Sequence, residues 1–171
     1  MMQWPDKDAR ELFETAGFVE AYARLPGSTR LTIVSKSDKP DYVVTDTTSN
    51  QEYGVELTAV YLDDRSVPDH HKPISPGTKD IPYSRAVLEQ YLQRLLSAVE
   101  DKIRKARAGY DLSRPLILAV YVNEYVAIYL DQEDLDLLVS ASPQVFDHMA
   151  PFSEIIFWAL ANGGIFRVRP S

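Results

Sequence analysis

The 171-residue chain contains no cysteine. Disulfides, thiolate zinc sites and cysteine nucleophiles are therefore excluded, and the composition suits a reducing compartment. No apolar run approaches the roughly 18 residues a membrane helix requires. The opening "MMQWPDKDAR" lacks the basic-then-apolar pattern of a secretory leader. These absences predict a soluble, cytoplasmic protein with no membrane partner. An excess of basic residues is also missing: the formal net charge is −7 and the sequence pI about 4.9. That balance opposes tight nonspecific binding to nucleic acid, which depends on neutralising phosphates. It leaves room for a local basic site or for a site bridged by a metal ion. There is no Gly-rich phosphate loop, no Gly-x-Ser-x-Gly elbow, no repeat and no low-complexity tract.

What is present is an ordinary globular composition, 45% hydrophobic and 25% charged, at a length that fits one domain. Pro5 and Asp6 open a first helix over Asp8 to Arg24, which Pro26-Gly27 ends. "TRLTIVSKS", "YVVTDTT" and "GVELTAVYL" read as three closely spaced strands of an antiparallel meander. A charged, proline-rich stretch from Asp63 to Pro82 reads as a long surface loop. The strongest helix follows, Ser84 to Ala108, with Leu88, Leu92, Leu95, Leu96, Val99, Ile103 and Ala106 on one stripe. "RPLILAVYV" has the nearly all-apolar character of a strand buried on both faces. "EYVAIYL" reads as a further strand, "DQEDLDLLVSA" as a short helix, and "SEIIFWAL" with "IFRVRP" as a closing strand pair. "EIIFWAL" suits either a central strand or a dimer edge. The predicted fold is α/β: a mixed central sheet flanked by helices, in the order α-β-β-β-α-β plus a C-terminal helix and strand pair.

Two acids stand out. Asp41 follows Pro40 at the mouth of the second strand, and Glu56 interrupts the apolar run of the third. A carboxylate in such a strand is costly unless it is paired, hydrogen-bonded or bound to a cation. Side chains alternate along a strand, so Glu56 and Thr58 share one face while Val55, Leu57 and Ala59 share the other. Two carboxylates meeting across adjacent strands suit Mg²⁺, which prefers hard oxygen ligands and keeps several waters.

Pro40-Asp41, fourteen residues, then Glu56-Leu57-Thr58 resembles the signature of the PD-(D/E)XK nuclease superfamily. The element order over about Asp6 to Val122 is similar to that family's core. The resemblance implies one restriction-endonuclease-like domain over residues 1–171. It also implies metal-dependent hydrolysis of nucleic acid, DNA rather than RNA, with Asp41 and Glu56 holding Mg²⁺ or Mn²⁺. The family's lysine is replaced here by Thr58, which has no charge to offer an attacking water or a developing anion. Members of the family can carry that residue on a neighbouring element.

Lys102 is the candidate replacement. At about 100° per residue it lies roughly 60° from the centre of the long helix's apolar stripe, against roughly 120° for Lys105. Tyr91 lies on the same edge. The bland alternative is a boundary lysine with its stem on the core and its ammonium in water. Glu20 is the candidate for the glutamate that the family often places on its first helix. It falls inside a stripe of Leu12, Phe13, Ala16, Val19 and Ala23, with Glu11 and Glu14 on the opposite side. Its alternative is a salt bridge at the edge of the core. Asp46 is expected to face solvent or to hydrogen-bond within a turn. His70-His71 has no third ligand at metal spacing and reads as a solvated pair. Lys72, Lys79 and Arg85 could line a strand-binding cleft or be ordinary surface charge. The tyrosines read as packing residues.

Two functions of different class follow. The first is a metal-dependent nuclease with Asp41, Glu56, Lys102 and Glu20 as catalytic residues. The second is a catalytically inactive nuclease-like domain that binds a protein partner, favoured by the Thr58 departure and the negative charge.

Overall fold

A computed structural model describes residues 7–61, 84–122, 130–160 and 163–170. Within them the β-branched and aromatic runs become β1 (Leu31–Lys36), β2 (Tyr42–Asp46), β3 (Glu52–Val60), β4 (Leu116–Val122), β5 (Phe152–Leu160) and β6 (Gly164–Val168). Helices α1 (Lys7–Tyr22), α2 (Arg85–Gly109), α3 (Gln132–Ala141) and the short α4 (Pro143–Phe146) complete the order. The strands form one sheet in sequence order, β1 to β6. β1, β2 and β3 are the expected antiparallel meander. β4 lies parallel to both β3 and β5, and β6 returns antiparallel on β5. The sheet is therefore mixed, with helices on its faces. β5 is an interior strand, which answers the question left open by "EIIFWAL". "EYVAIYL" up to Ile128 and Tyr129 lies outside the described residues, as do His70, His71, Lys72 and Lys79.

Alternation along β4 divides the core. Leu116, Leu118, Val120 and Val122 face α2, α3 and α4. Ile117 and Ala119 face α1. All six are buried, as a strand covered on both faces requires. Helix α2 begins where the Ser84 hydroxyl accepts from the Val87 N–H, and it lays Leu88, Tyr91, Leu95, Val99, Ile103 and Ala106 on the sheet. Burying each large apolar side chain contributes about 1.5–3 kcal/mol. The far end of α2 is clamped by Arg107, whose guanidinium donates to the Ala150 carbonyl at 2.8 Å and to that of His148. Both carbonyls lie on the approach to β5.

Helix α1 is rotated from its expected face. Thr15, Phe18, Ala21 and Tyr22 are buried, while Leu12 and Phe13 are 51% and 81% exposed. The aromatic contacts account for this. Phe18 packs 5.7 Å from Tyr22 and edge-on to Trp158 at 6.3 Å, ring centre to ring centre. Gly17 lies beneath the same indole: a Cβ there would sit 3.1 Å from Cζ3. Among the described residues no helix is long and apolar enough to cross a membrane.

Candidate functional site

The strand register brings the two acids together. The β2–β3 ladder pairs Thr45 with Glu52 and ends at Tyr42 with Val55. One step further, Asp41 comes opposite Glu56. Like charges in directly opposed positions are unfavourable, so a structural need alone would select against the pair. Asp41 is held there by its Oδ2, which accepts from the Leu57 N–H at 2.8 Å. This satisfies a backbone donor that the ended ladder leaves open. Pro40 is seated by Gly54: a Cβ on Gly54 would come within 2.4 Å of Pro40 Cγ and 2.7 Å of Leu116 Cδ2. The glycine two residues before Glu56 thus lets the Pro40-Asp41 turn close over the sheet.

Burial and the neighbouring Glu56 charge push the Asp41 carboxyl up to about 6, against opposing help from the Leu57 N–H and Lys102. Glu56 is 3% exposed. Its Oε1 accepts from both Lys102 Nζ and Tyr110 Oη, the latter at 2.6 Å. Its Oε2 is buried and has no hydrogen-bond partner among the described residues. An unpaired buried carboxylate oxygen is expensive and calls for a partner, an ordered water or an ion. Burial also raises the Tyr110 hydroxyl pKa far above its ordinary value, followed by the hydrogen bond to Glu56.

The sequence-derived residues divide as follows. Asp41, Glu56 and Lys102 converge at the open end of β2 and the middle of β3. Thr58 is half-buried on the face of Glu56, and the ammonium beside that carboxylate is Lys102's. Tyr91 is fully buried, its hydroxyl donating to the Val60 carbonyl at 2.8 Å. Glu20 does not join the site. It is exposed on α1, because the helix turns its other side to the sheet. Two glutamates of α1 are coupled to the site: Glu11 adds to the Asp41 shift, and Glu14 is itself shifted. Burial lifts its carboxyl above the usual range; Arg10 opposes the shift, and Glu11 and Asp41 add to it. Asp46 lies at the other end of β2. It is buried and accepts from the Thr29 hydroxyl at 2.6 Å and the Thr48 N–H at 2.7 Å, which is the expected turn bonding without the solvent exposure. Arg85 pairs with Glu89 at 3.2 Å and Asp134 at 3.8 Å on the helix surface.

Three residues escaped the sequence reading. Glu14 reads as solvent-facing in the sequence because the buried stripe of α1 is polar in its first half. Tyr110 follows the helix-ending Gly109, and no local pattern aims it back at β3. Glu154, near the start of β5, is buried on the other face of the sheet and accepts from the Tyr22 hydroxyl at 2.5 Å. Arg167 Nε is 3.2 Å from its Oε2, an ion-pair contact without hydrogen-bond alignment, and Arg169 Nε is 3.3 Å away. This second acid is neutralised by the protein and reads as structural.

Two carboxylates, one with an oxygen that lacks a partner among the described residues, make a donor set of the hard-oxygen type that a divalent cation takes. Among the described residues no group of three or more His, Asp or Glu side chains is gathered as a metal site. In comparisons with known proteins, no family model, no curated protein and no solved structure matches the chain.

Proposed function

We propose that the protein is a Mg²⁺- or Mn²⁺-dependent nuclease hydrolysing DNA phosphodiesters, with Asp41 and Glu56 as ligands of the ion. The observation that carries this reading is the Glu56 Oε2, buried without a hydrogen-bond partner among the described residues, beside a second carboxyl whose pKa is raised by burial and then by Glu56. Lys102 offsets the repulsion within the pair only in part, and a bound divalent cation would offset more of it. A bound divalent ion would supply Lewis-acid activation of water and phosphate. Lys102 brings a cation to the point where the family resemblance expects one and Thr58 cannot. Its ammonium would steady the negative charge that builds on the phosphate as the water oxygen bonds to phosphorus and the bond to the leaving sugar oxygen breaks. Glu14 adds negative potential on the α1 side. The absence of cysteine suits action in the cytoplasm.

The test is calorimetric titration with Mn²⁺, together with cleavage of plasmid and oligonucleotide DNA in Mg²⁺ or Mn²⁺. Wild type should bind and cut, and Glu56→Gln should lose both by at least about tenfold. Equal cutting by the two proteins would remove the assignment.

One observation favours the alternative, an inactive nuclease-like module for a protein partner. Lys102 already places an internal cation on Glu56. A chain neutralised in this way needs no metal ion. Absence of Mn²⁺ binding, with a partner whose capture is abolished by surface substitution, would support that reading instead.

A further inference from the structure

Glu56 is gripped unevenly. Two donors from one helical segment meet on Oε1: Lys102 from within α2, and Tyr110 from the residue that caps it. Oε2 receives neither. A carboxylate held by one oxygen cannot turn freely about its last bond, so the other oxygen keeps a set direction.

Lys102 and Tyr110 are not equivalent holders. The ammonium competes with any cation for the carboxylate and, on the nuclease reading, must also serve the phosphate. The phenol is neutral and competes with neither. If Lys102 alone held Oε1, its departure would leave a second buried oxygen unpaired, at a cost that opposes the movement. With Tyr110 in place, Oε1 remains bonded when the ammonium leaves.

We propose that Tyr110 is a positioning residue. It holds Glu56 by Oε1, which presents Oε2 to the divalent ion and frees Lys102 to engage substrate. This rests on the nuclease reading above. Partners that orient a metal-binding carboxylate typically change metal affinity or activity by about 10–100-fold when removed.

The experiment is Mn²⁺ calorimetry on wild type, Tyr110→Phe, Lys102→Met and the double variant, with a thermal melt of each. Phenylalanine keeps the ring and removes only the donor. Tyr110→Phe should melt cooperatively and bind Mn²⁺ about tenfold more weakly. Lys102→Met should bind at least as tightly as wild type, since Tyr110 still holds Oε1 and a competing charge is gone. In that background Tyr110→Phe should cost more than it does in wild type, because Oε1 then has no donor. A purely structural tyrosine would cost the same in both backgrounds and would overturn the proposal. Unchanged Mn²⁺ affinity in Tyr110→Phe would also overturn it while leaving the nuclease reading intact. Loss of binding in Lys102→Met would overturn it independently, even if Tyr110→Phe failed to fold. If wild type binds no Mn²⁺, the nuclease reading fails and this inference fails with it.

Discussion

Asp41 is a carboxylate whose ionisation the fold opposes. Its pKa rises from 3.8 to about 6 in the folded chain, chiefly through burial and then through Glu56. The folded state therefore binds its proton more tightly than the unfolded state. The resulting stability is fully present below about pH 4 and is lost as pH rises through about 6. Asp41→Asn keeps an acceptor for the Leu57 N–H and removes the titration. In chelator, the two proteins should differ little near pH 4. By pH 7 the variant should be more stable, by at most about 3 kcal/mol; denaturant melts at the two pH values measure this. A cation bound at the site should shrink or reverse the difference. Asp41, Glu56 and Lys102 were legible in the sequence because each breaks a local pattern: an acid after a turn proline, an acid in an apolar strand, a lysine at a stripe's edge. Glu14, Glu154 and Tyr110 break none, so only their neighbours in space reveal them.

At the scale of elements, the site depends on how β2 leaves β3. Gly54 lets Pro40 approach the strand, and that contact sets Asp41 opposite Glu56. Gly54→Ala should destabilise the protein by about 1–3 kcal/mol through overpacking against Pro40 and Leu116. It should also weaken Mn²⁺ binding, since Pro40 can yield only by moving Asp41. Thermal melts and calorimetry on one preparation would show both effects. Helix α2 was readable in sequence because its stripe is long and apolar, and Leu88, Leu95, Val99, Ile103 and Ala106 are all buried. Helix α1 was misread because Leu12 and Phe13 dominate a hydrophobic count, whereas Phe18, Tyr22 and Trp158 decide the packing. One residue's rotation of a helix turns the face by about 100°, which carries Glu20 out and Glu14 in.

For the whole molecule, the sheet separates a chemically open carboxylate site from a closed one. Glu154 ties α1 to β5 and β6 through Tyr22, Arg167 and Arg169, and Arg167 also lies 5.4 Å from the Tyr22 ring centre. Glu154→Gln should destabilise the protein, by at most about 3 kcal/mol, by leaving the half-buried Arg167 charge without its carboxylate partner. It should not change Mn²⁺ affinity, because no part of that network touches Asp41 or Glu56; chemical denaturation and calorimetry report the two quantities separately. Residue order alone was enough for the α/β class, the antiparallel meander, the two-sided burial of β4 and the candidate pair of acids. Those features follow from periodicity and from the cost of charge in apolar runs, both of which are local. Which side of α1 meets the sheet, which oxygen of Glu56 is held, and which of two buried acids keeps an oxygen without a partner among the described residues were decided only by tertiary contacts. The reason is physical: each depends on donors and rings from segments far apart in the chain, whose meeting no local pattern encodes.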